Sequence, residues 1–105
     1  MWFPNSDLKT FKRRPALVVQ ADDLLTGLPQ IVAAMITSNR SRRGHPSRVF
    51  ISLESATAQG AGLRTDSVIM TGNLATILHQ AIALKLGRIA DLAEVNRALR
   101  ATLGL

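Results

Sequence analysis

The chain has 105 residues, 47% of them hydrophobic and 19% charged, with a net charge of +6 and no cysteine. This is enough for one folded core and too little for two, and it argues against disorder. The lack of cysteine excludes disulfides, a thiol nucleophile and thiolate metal ligands, and no stretch approaches the roughly 18 apolar residues of a membrane-spanning helix.

The N-terminus MWFPNSDLKTFKRR puts its apolar residues before its bases, the reverse of a signal peptide, so a cytoplasmic protein is expected. The charge is unevenly placed. Residues 1–52 carry eight Lys/Arg against three Asp, and residues 53–105 carry five against four Asp/Glu. The bases gather at Lys9–Arg14 and Arg40–Arg48. Such concentration suits an anionic polymer and equally an acidic protein, and charge alone does not separate the two.

In chain order, FPNSDLKTF reads as a loop rich in turn formers. The run KRRPALVVQ follows, with Lys12, Arg13 and Arg14 leading directly into Pro15. Proline fixes its own φ and pushes the residue before it toward extended geometry, so Arg14 is a cation with a constrained backbone. That suits a guanidinium meeting one phosphate, although a solvated basic flank reads the same way. Ala16–Gln20 is a short β-branched strand, and ADDLLTGLP is a loop. Gln30–Thr37 is an apolar run of strand length, suited to burial on both faces. SNRSRRGHP is a turn. In SRVFISL, Val49, Ile51 and Leu53 fall on one face and Arg48, Phe50 and Ser52 on the other. The two strands together suggest a hairpin with a long basic tip.

ESATAQGAG reads as a loop, and its Gly60 and Gly62 lack the strand-to-helix context of a nucleotide site. Ser67–Met70 is a short strand ended by Thr71-Gly72-Asn73. The spacing of Leu74, Ile77, Leu78, Ala81 and Ile82 is helical. Asp91 and Glu94 stand in capping-box positions at the start of a helix in which Leu92, Val95, Leu99 and Leu103 share a face and which Gly104 ends.

Conventional catalytic signatures are missing. His45 and His79 lie 34 residues apart with no carboxylate motif nearby, His79 reading as structural and His45 as a modest phosphate contact. The carboxylates have no metal-ligand spacing, and no metal or other cofactor is implied. Arg, Thr and one isolated Asp remain. Asp66 precedes a strand, where it caps a turn or pairs with Arg64. An Arg and a hydroxyl at adjacent strand ends can cleave RNA without metal, because RNA brings its own 2′-OH nucleophile.

Taken in order and spacing, KRRPALVVQ, VAAMITSN, GLRTDSVIM and LGRIADLAEVNRALRATLGL resemble the MazF/PemK family of toxin endoribonucleases over essentially the whole chain, residues 1–105. The resemblance implies a mainly β fold with a C-terminal helix: a small, bent SH3-like β-barrel of the CcdB/PemK type, forming a homodimer. It implies sequence-selective, metal-independent cleavage of single-stranded RNA to 2′,3′-cyclic phosphate and 5′-OH ends. A cognate antitoxin would cover the RNA groove with an acidic or apolar tail. Carried over by motif, Arg14 stabilises the phosphorane and acts as acid, and Thr37 is the strand-end hydroxyl at the scissile phosphate. Asp66 supports the groove or reads a base, and Lys12, Arg13, Ser38, Asn39, Arg40 and Arg64 line the RNA path. The resemblance also replaces the helical reading of residues 74–89 by strands Leu74–Leu78 and Ala83–Ile89 around a short turn, although LHQAIALKLG is less polar than the family's turn. It implies too that the family's opening Gly-Asp strand is largely missing. The alternatives are an inactive decoy that binds antitoxin, a gyrase-binding toxin of the CcdB type, disfavoured by the Thr102-Leu103-Gly104-Leu105 ending, and a generic basic RNA-binding barrel, disfavoured by few aromatics.

Overall fold

The structure is a computed structural model that describes residues 2–4, 11–13, 15–21, 24–82 and 85–105, with the backbone alone for residues 2–4, 11–13 and 81. Two short strands, β1 (Trp2–Pro4) and β2 (Phe11–Arg13), form an antiparallel pair. Phe3, Pro4 and Phe11, expected in a loop, are therefore in strands. A four-stranded antiparallel sheet follows, built from β3 (Ala16–Val18), β4 (Gln30–Thr37), β5 (Arg48–Ile51) and β6 (Ser67–Leu78) in the order β3-β4-β6-β5. Two helices, α1 (Ala56–Ala61) and α2 (Ala93–Leu103), complete it. The mainly β architecture with a C-terminal helix is the expected one.

β4 occupies the place its composition demands. It lies between β3 and β6, and Ala33, Ala34, Met35 and Ile36 are buried in succession. The expected β4–β5 hairpin does not form, because β6 lies between the two strands. The burial of Ser67, Val68, Ile69 and Met70 in succession shows that this segment is covered on both faces, as suits a strand in the interior of the sheet. Nor does β6 end at Met70. Its register with β4 jumps between the pairs Ala34↔Leu74 and Met35↔Met70, so Thr71, Gly72 and Asn73 form a bulge and the strand runs on to Leu78. The bend turns the open sheet into a half-barrel. Leu74–Leu78 is thus strand, as the family resemblance implies and against its helical spacing. Its half-buried residues are Ala75 and Ile77, whereas Leu74 and Leu78 face solvent.

The second half of that expectation fails: the described part of Ala83–Ile89 is not a strand. Lys85–Ile89 instead runs beside α1, with the Arg88 amide donating to Gly60 O at 2.9 Å. α1 is itself a correction, since ESATAQGAG reads as a loop. Ser55 Oγ accepts from the Ala58 amide at 3.1 Å and caps the helix. Its small residues let it sit flat, with Ala58 fully buried. The glycines here have a steric role. A Cβ on Gly62, at φ +72°, would fall 2.3 Å from Leu86 O, and one on Gly87 would fall 2.4 Å from Gly60 O. In α2, Asp91 Oδ1 accepts from the Ala93 amide at 3.0 Å, but Glu94 pairs with Arg97 rather than closing a capping box. Val95 and Ala98 are the buried residues of this helix.

Candidate functional site

Directly opposed residues on antiparallel neighbours share a face, and each step along a strand changes face. Ile36, Ile69 and Val49 form one cross-strand row. They belong to the main core, which α1 and α2 close with Ala58, Val95 and Ala98. The next row is Thr37, Val68 and Phe50, on the opposite face. Beside it lie Met35, Met70 and Arg48. Met35, Val68 and Met70 make a small second core that floors this face, while Thr37 is half-buried and Phe50 is 39% exposed.

The basic segment leaves β4 at the edge of that face and is held by its own polar side chains. Thr37 Oγ1 accepts from the Asn39 amide at 3.1 Å. Asn39 Oδ1 accepts from the Ser41 amide at 3.1 Å and the Ser41 hydroxyl at 2.6 Å, capping the 3₁₀ turn Arg40–Arg42. Arg40 Nε stands 3.6 Å from Asp66 Oδ2, and Asp66 Oδ1 accepts from the Leu53 amide at 2.8 Å. The sequence reads Asp66 as capping a turn or pairing with Arg64, whereas the described ion pair is to Arg40 instead of Arg64. Farther along, His45 Nδ1 accepts from the Ser47 amide at 3.1 Å, and Arg48 Nη1 donates to Arg42 O at 2.9 Å. The Arg48 Nε is buried without a hydrogen-bond partner among the described residues. Arg43 Cζ lies 5.5 Å from the centre of the Phe50 ring.

The far end of this loop is anchored to β6 and α2. The Thr71 amide and hydroxyl both donate to Ser47 O, at 3.0 and 2.6 Å, and the Thr71 hydroxyl is 2.7 Å from that of Thr102. Arg97 donates from Nη1 to Pro46 O at 3.0 Å.

Of the residues singled out in the sequence, Thr37, Ser38, Asn39, Arg40 and Asp66 are therefore brought together at one strand end. Arg64 is exposed in the turn before β6. Lys12 and Arg13 are placed by backbone only, in β2, and Arg14 lies outside the described residues. Its neighbour Pro15 is placed: Pro15 O accepts from the Ile36 amide at 3.2 Å, one residue from Thr37. Among the described residues no three His, Asp or Glu side chains gather as metal ligands. Sequence reading missed Phe50, Thr71 and Arg97, and took Arg43 only as one of the bases of Arg40–Arg48. Of the three missed, only Phe50 had a signal, since the alternation in SRVFISL put an aromatic ring on the side away from Val49 and Ile51.

A family model described as PemK-like, MazF-like toxin of type II toxin–antitoxin system matches residues 1–103. Endoribonuclease MazF6 of Mycobacterium tuberculosis and endoribonuclease MazF2 of Mycobacterium bovis are each 32% identical to the chain, over 97% of it and 88% of the relative. Among solved structures, Mycobacterium tuberculosis toxin MazF-mt6 superposes with a TM-score of 0.71 at 21% identity, covering 88% of this chain and 87% of the other. A mycobacterial endoribonuclease in complex with its cognate antitoxin gives 0.70 at 23% identity, covering 88% and 82%. The structural matches establish a shared fold, and the sequence matches extend over nearly all of both chains. The half-barrel and its C-terminal helix are those of the PemK-like, MazF-like toxins of type II toxin–antitoxin systems, and the chain belongs to that family.

Proposed function

We propose that this MazF-type endoribonuclease toxin cleaves single-stranded RNA at selected sequences without a metal ion. The 2′-oxygen of the RNA attacks the adjacent phosphorus and gives up its proton. The P–O5′ bond breaks and the departing 5′-oxygen takes up a proton, leaving a 2′,3′-cyclic phosphate and a 5′-OH. Arg14 meets the negative charge that builds on the phosphorane, which a planar guanidinium fits well. The Thr37 hydroxyl holds the scissile phosphate. Lys12, Arg13, Ser38, Asn39, Arg40 and Arg64 attract and guide the strand, and Asp66 orients Arg40.

The observation that carries this reading is the hydrogen bond from the Ile36 amide to Pro15 O, which joins the Arg-Pro segment to the strand ending in Thr37. The toxin acts as a cytoplasmic homodimer, and a cognate antitoxin tail of acidic or apolar character covers the basic groove. Leu24, Leu25 and Leu28 are 56–91% exposed, apolar surface of the kind that protein partners cover.

The test is incubation of the purified protein with a long single-stranded RNA in excess EDTA, beside Arg14→Ala and Thr37→Val, with mapping of the new ends. Discrete cuts bearing 5′-OH ends are expected for the wild type, with Arg14→Ala slower by roughly 10²-fold or more. Cleavage by Arg14→Ala at near wild-type rate would sink the assignment of Arg14. A folded wild type that leaves RNA intact would point to the antitoxin-binding decoy.

A further inference from the structure

The chain contains four aromatic side chains, too few to suggest a stacking surface from sequence. Phe50 nevertheless sits in an unusual place. Its neighbours Val49 and Ile51 are 8% and 5% exposed, in the core, whereas Phe50 on the other face keeps 39% of its surface in solvent. A lone exposed apolar residue is ordinary. Two further observations make this one informative. Phe50 shares a cross-strand row with Thr37, with only Val68 between them. Two strand spacings put the two positions about 10 Å apart. In addition, the Arg43 guanidinium lies 5.5 Å from the ring centre, within cation–π range, and arrives from the same loop that carries Arg40 and Arg42. The ring thus has a cation over it and the strand-end hydroxyl on the same side of the sheet.

An aromatic ring with a flanking cation is the arrangement that binds single-stranded nucleic acid, the ring taking a base and the cation a phosphate. We propose that Phe50 and Arg43 form a base-stacking site that fixes the register of RNA on the face occupied by Thr37. A base neighbouring the scissile phosphate lies on the Phe50 ring, and Arg43 pairs with the phosphate beside that base. The proposal rests on the reading of Thr37 as the cleavage centre. Stacking tolerates every base, so the site positions the strand, while hydrogen-bonding groups elsewhere select its sequence. Phe50 is a positioning residue and takes no part in bond making.

The experiment compares wild type, Phe50→Leu and Phe50→Trp. Each is incubated with the same single-stranded RNA in EDTA, and the cut sites, kcat and KM are determined. Phe50→Leu keeps an apolar side chain without a π face and is expected to raise KM about 5- to 100-fold, with a small change in kcat. Phe50→Trp is expected to restore wild-type KM. In parallel, the added tryptophan of Phe50→Trp is monitored by fluorescence against the Trp2 background of the wild type. Short oligouridylate, oligocytidylate and oligoadenylate are each expected to quench it, with the quenching lost in Phe50→Trp/Arg43→Ala at moderate salt. Wild-type KM in Phe50→Leu overturns the proposal. So does an altered sedimentation of Phe50→Leu with unchanged cut sites and no quenching in Phe50→Trp, which would assign the ring to a protein interface. Quenching by oligonucleotides in a protein that never cleaves would uphold the stacking site and refute the ribonuclease reading. Cleavage without quenching would do the reverse.

Discussion

Two adjacent cross-strand rows of the sheet, Ile36–Ile69–Val49 and Thr37–Val68–Phe50, are one residue apart along the same three strands. The first points into the closed core beneath α1 and α2. The second points to the open face, where Val68 alone of the three is fully buried and a hydroxyl and a ring reach solvent at either side. One residue of register therefore separates a row that holds the fold from a row that carries the candidate chemistry. This follows from the two-residue period of a strand. It also explains why rigidity is available to the site: Thr37 and Phe50 sit on strands whose other face is fully packed, so their backbones cannot relax away from one another.

The largest separable effect should come from the closed row. Ile69→Ala deletes a side chain that is 0% exposed and should cost about 2–5 kcal/mol, seen as a lowered denaturation midpoint in urea. Below its melting temperature the remaining folded fraction should still cleave RNA at the wild-type positions. A change in cut sites would mean that the two faces are not independent. Thr71→Val comes next. It keeps the shape of a fully buried residue and the amide bond to Ser47 O, but removes the hydroxyl bond to Ser47 O and leaves the Thr102 hydroxyl without its Thr71 partner, a loss of about 1–3 kcal/mol. Because Ser47 ends the basic loop, this variant should lower stability and alter RNA affinity together, which thermal melting and salt-dependent binding would reveal. Arg97→Gln should do least. Its ion pair with Glu94 is solvent-exposed and contributes little, about 0–1 kcal/mol. Its bond to Pro46 O instead restrains the loop, so the expected outcome is near-wild-type melting with faster amide exchange across residues 43–48. Unchanged exchange would show that Thr71 alone anchors the loop.

Much of the open face was legible in advance because its signals are local. Thr37 ends an apolar run, Asn39 and Ser41 are turn formers, and the bases are contiguous in sequence. The partners they find were not legible. Asp66 reaches Arg40, 26 positions away in the numbering, in preference to nearby Arg64 because β6 passes between β4 and β5. The same insertion defeated the hairpin reading, since chain order says nothing about which strand has both edges buried. α1 escaped notice because its face is made of alanines, which give no hydrophobic periodicity, and it seats closely only because Gly62 and Gly87 admit backbone contacts that a Cβ would block.

The sequence by itself determined the buried central strand Gln30–Thr37, the C-terminal helix and the place where positive charge collects. These rest on composition, period and capping, which act over a few residues. Only the tertiary structure decided that β6 pairs with both β4 and β5 and then bends through Thr71–Asn73, that Asp66 pairs with Arg40, and that Phe50 faces the same way as Thr37. Those outcomes depend on strand order and register, which are set by packing both faces of a sheet at once.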